Sequence, residues 1–257
     1  MTSGKGGVGK STISLNLALA LAERDLRVGL LDADVYGPDI PLMVNLKRSA
    51  PLERWLLGRA PGGGQMRLEP VERFGIAVMS VGFLLSESQA MTVPAPLIRG
   101  VLHQLLRDVA WGPLDILVVD LPPGTADLQQ ELLGLVPLAG ALIVVGPQDV
   151  AHLDAKRVLD LLRRAGVHVL GAVENMTALT CPHCGQPVEV FPHARSERSV
   201  WADGVERLAA IPLDPEIARA GDRGRPVLAG GAEATGPQAD AFRGLAARLL
   251  DSLPGGG

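Results

Sequence analysis

The chain has little of what marks secreted, membrane or nucleic-acid-binding proteins. Among its 257 residues aromatics make up 3%, cysteines number only two, and acidic residues (28) exceed basic ones (24). Two cysteines cannot build the disulfide framework of a small secreted domain, and a net charge of −4 excludes a grip on nucleic acid through bulk positive charge. No cationic-then-apolar signal peptide opens the chain, and its longest uncharged run, 132–148, contains Pro137 and three glycines, whereas a membrane span needs about 20 apolar residues. We therefore expect a cytoplasmic protein with neither nucleic acid nor a membrane as partner.

Short apolar runs alternate with longer helical stretches along the chain. Runs such as 116–119 and 141–145 are continuously apolar, which is typical of strands buried on both faces of a parallel sheet. The alternation predicts an α/β fold with a doubly wound, mostly parallel sheet, in a single domain over 1–257 with a flexible loop at 59–65 and a flexible tail at 254–257. The predicted strands are 27–32, 75–81, 115–120, 139–146, 167–174 and 207–211, and the predicted helices are 10–24, 97–109, 128–135, 150–165 and 238–253.

A glycine-rich loop lies almost at the start of the chain, after only three residues. Residues 4–12 read Gly-Lys-Gly-Gly-Val-Gly-Lys-Ser-Thr, which satisfies the phosphate-loop pattern Gly-x4-Gly-Lys-Ser. Glycines let backbone N–H groups turn toward phosphate oxygens, Lys10 reaches the β- and γ-phosphates, and the Ser11 hydroxyl ligates Mg²⁺. The pattern predicts an ATP site made of Gly4, Gly6, Gly7, Val8, Gly9, Lys10, Ser11 and Thr12.

Aspartates end two of the predicted strands. Asp32 ends the run 27–32, Asp34 follows it two residues later, and Asp120 directly follows the run 116–119. Ligands of α/β sheets bind beyond the carboxyl ends of the strands, so these carboxylates are candidates for the magnesium site and the attacking water. Turn and capping aspartates are the alternative, because such residues are common at strand ends.

The only two cysteines, Cys181 and Cys184, have the Cys-x-x-Cys spacing of metal ligands. One pair supplies two thiolates, whereas a closed zinc site or a [4Fe–4S] cluster needs about four ligands. A two-fold homodimer would bring two pairs together. A redox dithiol, a zinc site completed by His183 or His193, and a structural turn remain alternatives.

The second lysine of the glycine-rich loop, Lys5, resembles that of the deviant Walker A ATPases, the class of the septum-site ATPase MinD, the partition ATPases and the nitrogenase iron protein. This resemblance implies that Lys5 reaches the nucleotide of a partner subunit, that Asp34 orients the attacking water, and that Asp32 and Asp120 support Mg²⁺. The resemblance thus implies that the catalytic residues are Lys5, Lys10 and Asp34.

A narrower resemblance covers almost the whole chain, in order, and is carried by segments 32–38, 79–84, 111–115, 121–127, 147–151, 173–176, 181–185, 211–215 and 220–226. These segments are similar to the Mrp/NBP35 (ApbC-like) P-loop ATPases, the iron–sulfur cluster carriers. Residues 92–97, Ala126 and 190–194 depart from that pattern.

The narrower resemblance implies a homodimer that hydrolyses ATP slowly and holds a [4Fe–4S] cluster between Cys181 and Cys184 of each subunit, in a loop at about 176–195. It implies that Asn175 reads the adenine, with Pro212 and Asp214 in the same pocket, and that the cluster passes to apo-proteins. A positioning ATPase that acts on DNA or a membrane, and an ATPase with a structural zinc at its interface, are the alternatives.

Overall fold

The structure is a computed structural model that describes residues 1–46, 68–84, 95–124 and 127–253. The predicted loop 59–65 and the predicted tail 254–257 lie outside the described residues.

The strands form two groups that share a mostly parallel arrangement. The first group has the order β3-β4-β2-β5, and the second has the order β1-β6-β7-β8, with β9 paired to β7. Only the β3–β4 and β7–β8 pairs are antiparallel among the described strands. The strands are β1 (Thr2–Ser3), β2 (Val28–Asp32), β3 (Val71–Arg73), β4 (Ile76–Ser80), β5 (Ile116–Asp120), β6 (Ala141–Val145), β7 (Val169–Thr180), β8 (Pro187–Val188) and β9 (Arg207–Leu213).

The short strand β1 lies where the two groups meet. It pairs with β6, and the Met1 amino group donates a hydrogen bond of 2.7 Å to the Val119 carbonyl of β5. The N–H of Leu121 donates to the Met1 carbonyl at 3.0 Å. As a result the glycine-rich loop, which follows β1, begins beside the carboxyl end of β5.

The first helix is buried on nearly all sides. Its residues Ile13, Leu15, Leu17 and Leu21 are almost fully excluded from solvent, as expected for a helix that is apolar all round. Among the described residues no helix has both the length and the apolar character that crossing a bilayer requires. The helices are α1 (Lys10–Ala22), α2 (Ile40–Met43), α3 (Ala95–Arg107), α4 (Asp127–Leu135), α5 (Asp149–Arg164), α6 (Pro215–Asp222) and α7 (Pro237–Ser252).

All six predicted strands and all five predicted helices are present, with shifted ends. Strand β7 runs to Thr180, beyond the predicted end at 174, so the segment 176–195 begins on a strand rather than in a loop. Five elements were not predicted, because they are too short to show a periodic pattern: α2, α6, β1, β3 and β8.

Candidate nucleotide site and cysteine hairpin

The glycine-rich loop borders a cleft of about 370 Å³. Lys5, Lys10 and Asp34 line it, together with the predicted site residues Gly6, Gly7, Gly9, Ser11 and Thr12. Gly7 and Gly9 have φ angles of 78° and 84°, in the left-handed region that favours glycine. The structure therefore brings most of the predicted phosphate-binding residues to one cleft.

Two glycines of the loop are also required by packing. A Cβ on Gly4 would lie 2.3 Å from the backbone carbonyl carbon of Asp154 in α5, and a Cβ on Gly9 would lie 2.2 Å from Nδ2 of Asn175 in β7. Real Cβ atoms do not approach other atoms so closely. Gly4 thus lets α5 pack against the loop, and Gly9 lets β7 do so.

The Lys10 ammonium lies buried between two carboxylates. Its Nζ is 2.9 Å from Oδ2 of Asp120 and 3.4 Å from Oδ2 of Asp34. Asp120 also accepts hydrogen bonds of 2.7 Å from the hydroxyls of Ser11 and Ser14. Ser14 was not among the predicted site residues, although its position three residues after Ser11 puts both hydroxyls on one face of α1.

The register of the parallel strands brings the aspartates at the ends of β2 and β5 side by side. Asp32 is the in-register partner of Asp120 on one side and of Ser80 on the other. The Ser80 hydroxyl donates to Oδ2 of Asp32 at 2.8 Å, and the backbone N–H of Asp34 donates to Oδ1 at 3.2 Å. Ser80 was not among the predicted site residues, because a serine at a strand end carries no signal of its own in the sequence.

Burial changes the acidity of the carboxylates. Burial and the charge of Asp120 raise the pKa of Asp32 well above its ordinary value. Burial also raises the pKa of Asp34, while the Lys10 ammonium acts in the opposite direction. Buried oxygen ligands whose charges repel one another suit a hard divalent cation, so Ser11, Asp32 and Asp120 fit the predicted Mg²⁺ site.

The residues predicted for the adenine pocket lie outside the phosphate cleft. The Asn175 side chain donates from Nδ2 to the Val8 carbonyl of the loop at 2.8 Å. Asp214 caps α6, since its Oδ1 accepts from the Glu216 N–H at 2.7 Å and its Oδ2 accepts from Gln238. Asn175 therefore contacts the loop, whereas neither Pro212 nor Asp214 lines the cleft. The adenine-binding role of all three stays a prediction.

The cysteine pair lies in a hairpin directly after β7. Strand β8 pairs back on β7, and the N–H of Cys181 donates to the Gln186 carbonyl at 2.9 Å. Cys181 is half-buried and Cys184 is exposed, and neither forms a disulfide. The N–H groups of Cys184 and His183 bond to the Cys181 sulfur and lower the pKa of that thiol. The hairpin therefore favours a thiolate at Cys181.

The hairpin offers two candidate metal ligands, the free thiols of Cys181 and Cys184. Within the described ranges, His, Cys, Asp and Glu side chains form no group of three or more that could hold a metal ion. Neither His183 nor His193 is therefore gathered with the two cysteines. Further ligands for a closed site have to come from outside the described part of this chain.

The fold and the cleft define the class first: this is a P-loop NTPase with an α/β architecture. Two solved structures share the fold. A nucleotide-binding protein from Archaeoglobus fulgidus in complex with ADP has a TM-score of 0.72 and 34% identity over 94% of this chain and 89% of that one. The cell-division ATPase MinD of Pyrococcus furiosus has a TM-score of 0.68 and 23% identity over 97% of this chain and 96% of that one, which shows a shared fold only.

Sequence comparison assigns the chain to one family within the P-loop NTPases. Residues 1–250 match the ParA family described as "NUBPL iron-transfer P-loop NTPase", and the chain belongs to it. It is 42% identical over 228 residues to the "Iron-sulfur cluster carrier protein" of Helicobacter pylori, covering 89% of this chain and 60% of that protein. It is 42% identical over 230 residues to the "Iron-sulfur cluster transfer protein NUBPL" of Mus musculus, covering 89% of this chain and 69% of that protein. The chain thus spans about 60–70% of the length of these relatives.

Proposed function

We propose that this chain is an ATP-binding carrier of iron–sulfur clusters. Two copies hold one [4Fe–4S] cluster as cargo between their Cys181 and Cys184 thiolates and pass it to apo-proteins. The observation that carries the proposal is the cysteine hairpin, which presents Cys181 and Cys184 as two free thiols next to the β7–β8 pair. The names of the relatives support the same function.

The cysteine hairpin suits a cargo that has to be released. Cys184 is exposed and Cys181 is only half-buried, so an acceptor protein can reach the ligands. Exposed thiols that form no disulfide persist in a reducing compartment, which supports the cytoplasm as the site of action. Since one chain offers two thiolates, a cluster of four ligands is completed by the same hairpin of a second copy.

The phosphate cleft suits the triphosphate of ATP. Backbone N–H groups of the loop and the Lys10 ammonium bind phosphate oxygens, and release of Lys10 from Asp120 and Asp34 frees it for the β- and γ-phosphates. Mg²⁺, held by Ser11, Asp32 and Asp120, would neutralise charge on the phosphates. Asp34 and Lys5 both line the cleft. In this proposal Asp34 orients the attacking water, and Lys5 reaches the nucleotide of the partner subunit. Slow hydrolysis of ATP is the proposed reaction.

Anaerobic reconstitution with iron and sulfide tests the carrier function. The wild type should bind about four irons and four sulfides per dimer and pass them to an apo-protein. Cys181→Ala and Cys184→Ala should each abolish binding, whereas the matched control His193→Ala should retain the cluster. Iron retained after loss of the cysteines would overturn the proposal.

Metal analysis after anaerobic purification separates the carrier from its rivals. If the protein is colourless and contains stoichiometric zinc that resists exchange, the carrier function would be rejected in favour of an ATPase with a structural zinc. ATP-dependent sedimentation with liposomes or DNA, without cluster transfer, would favour a positioning ATPase.

A further inference from the structure

Strand β7 forms a continuous path from the phosphate loop to the cysteine hairpin. Asn175 lies in the middle of β7, is nearly buried, and donates from Nδ2 to the Val8 carbonyl at 2.8 Å. The contact leaves no spare room, because a Cβ on Gly9 would lie 2.2 Å from the same Nδ2. Cys181 follows six residues later, at most about 20 Å away along an extended chain.

The pairing of β7 is interrupted between these two sites. Asn175 pairs with Ile211 of β9, and the next pair joins Leu179 to Leu213. Three residues of β7, 176–178, therefore face the single residue Pro212. Proline has no N–H to donate to a ladder, so the regular pairing stops there.

The backbone inside this bulge is strained. Met176 has a φ of 61°, in the left-handed region that side-chain-bearing residues rarely adopt. The Thr177 hydroxyl donates to the Ile211 carbonyl at 3.3 Å, which partly replaces the missing ladder bond. Strained conformations of this kind cluster at functional sites and switch regions.

The part of β7 before the bulge has more pairing partners in the sheet than the part after it. Before the bulge, β7 pairs with β6 on one side and β9 on the other, and the Glu174 carboxylate accepts a hydrogen bond of 2.7 Å from Arg207. After the bulge, the ladder contacts are those of Leu179 and Thr180 with β8 and of Leu179 with Leu213. The bulge is therefore the point at which the hairpin can turn relative to the fixed part of the sheet.

We infer that Asn175 is a positioning residue that transmits the state of the phosphate loop to the cysteine hairpin through the bulge 176–178. Phosphate bound to the loop N–H groups changes the orientation of the Val8 peptide. Asn175 follows the Val8 carbonyl, and the strained residue Met176 converts that shift into a rotation of the hairpin. The inference rests on the proposed function for what the hairpin holds, but it concerns the path between two sites.

Hydrogen–deuterium exchange of the complete protein, with and without Mg·ATP, tests this path. In the wild type, nucleotide should change the exchange rate of the hairpin amides, those of Cys181 and Gly185 among them, at least threefold. Asn175→Asp keeps the shape of the side chain but removes the donor to Val8, so the hairpin response should fall below 1.5-fold at saturating nucleotide. Thr180→Ala, on the same strand and nearer the cysteines, is the matched control and should keep the full response.

Each outcome decides the inference. Protection of the loop amides reports in every sample that nucleotide is bound. The inference is overturned if the wild-type hairpin does not respond to nucleotide while the loop does. It is also overturned if Asn175→Asp keeps the full hairpin response. If that variant does not fold, the wild-type measurement alone decides. Cluster binding by wild type without a nucleotide response would refute this path and leave the carrier function standing. A nucleotide response of the hairpin without cluster binding would support this path and refute the carrier function.

Discussion

Replacing Gly9 with alanine tests the packing between the phosphate loop and β7. Gly9 is the N-cap residue that precedes α1 and has a φ of 84°, and its missing Cβ would lie 2.2 Å from Nδ2 of Asn175. Two costs therefore add in Gly9→Ala. A left-handed conformation costs a non-glycine residue about 1–2 kcal/mol, and displacing the Asn175 amide from the Val8 carbonyl leaves buried polar groups unpaired, at about 1–3 kcal/mol.

Gly7→Ala separates these two costs. Gly7 has nearly the same φ, 78°, but nothing lies within 4 Å of the position that its Cβ would take. The Gly7→Ala variant should thus lose only the conformational part, about 1–2 kcal/mol. Gly9→Ala should lose about 2–5 kcal/mol, which is a large part of the 5–15 kcal/mol that stabilises a typical domain.

Urea unfolding of the nucleotide-free proteins, followed by circular dichroism, measures the difference. Equal losses for the two variants would refute the reasoning, since the steric contact with Asn175 would then contribute nothing. A fluorescent ATP analogue gives the second readout, because displacement of the loop by Asn175 should weaken binding further in Gly9→Ala than in Gly7→Ala.

Two further predictions concern buried charges. Lys10→Met should lower the free energy of unfolding by about 3 kcal/mol, because Asp120 loses its buried cation, and it should abolish binding of a fluorescent ATP analogue; unchanged binding would contradict the assigned role. Burial raises the pKa of Glu174, but His152 and Arg207 outweigh it and leave that pKa below its usual 4.5. A carboxylate with a lowered folded-state pKa stabilises the fold above pH 4.5 and loses this contribution as the pH falls through the lowered pKa. The stability gap between wild type and Glu174→Gln should therefore be constant above pH 4.5 and shrink as the pH falls below 4.5. A gap independent of pH in urea titrations would count against the ion pair.

Local patterns in the sequence predicted the parts of the fold that depend on local chemistry. The apolar run 116–119 predicted β5, and the all-round apolar helix after Lys10 predicted a buried α1. The glycine-rich loop could be recognised in the sequence, because phosphate binding needs glycine, lysine and serine at fixed spacing; the nucleotide-binding role of its residues stays a prediction. The family resemblance was confirmed by a match over residues 1–250.

Contacts between distant segments carried no signal that a single sequence could reveal. Ser80 reaches Asp32 only because β4 and β2 are in register, and Asn175 reaches Val8 only because β7 passes the loop. The continuation of β7 beyond residue 174 was also missed, because its final residues are held by the short strand β8 rather than by an apolar pattern of their own.

The order of amino acids determined which groups this protein has for chemistry: one phosphate loop, three aspartates at strand ends, and one pair of cysteines. Only the tertiary structure decided what those groups contact. Parallel pairing placed Asp32 beside Asp120, and the interrupted ladder opposite Pro212 placed a strained bulge between the nucleotide loop and the cysteines. The reason is physical: side-chain chemistry is fixed by residue type, whereas register, burial and strain arise from segments that meet only when the chain folds.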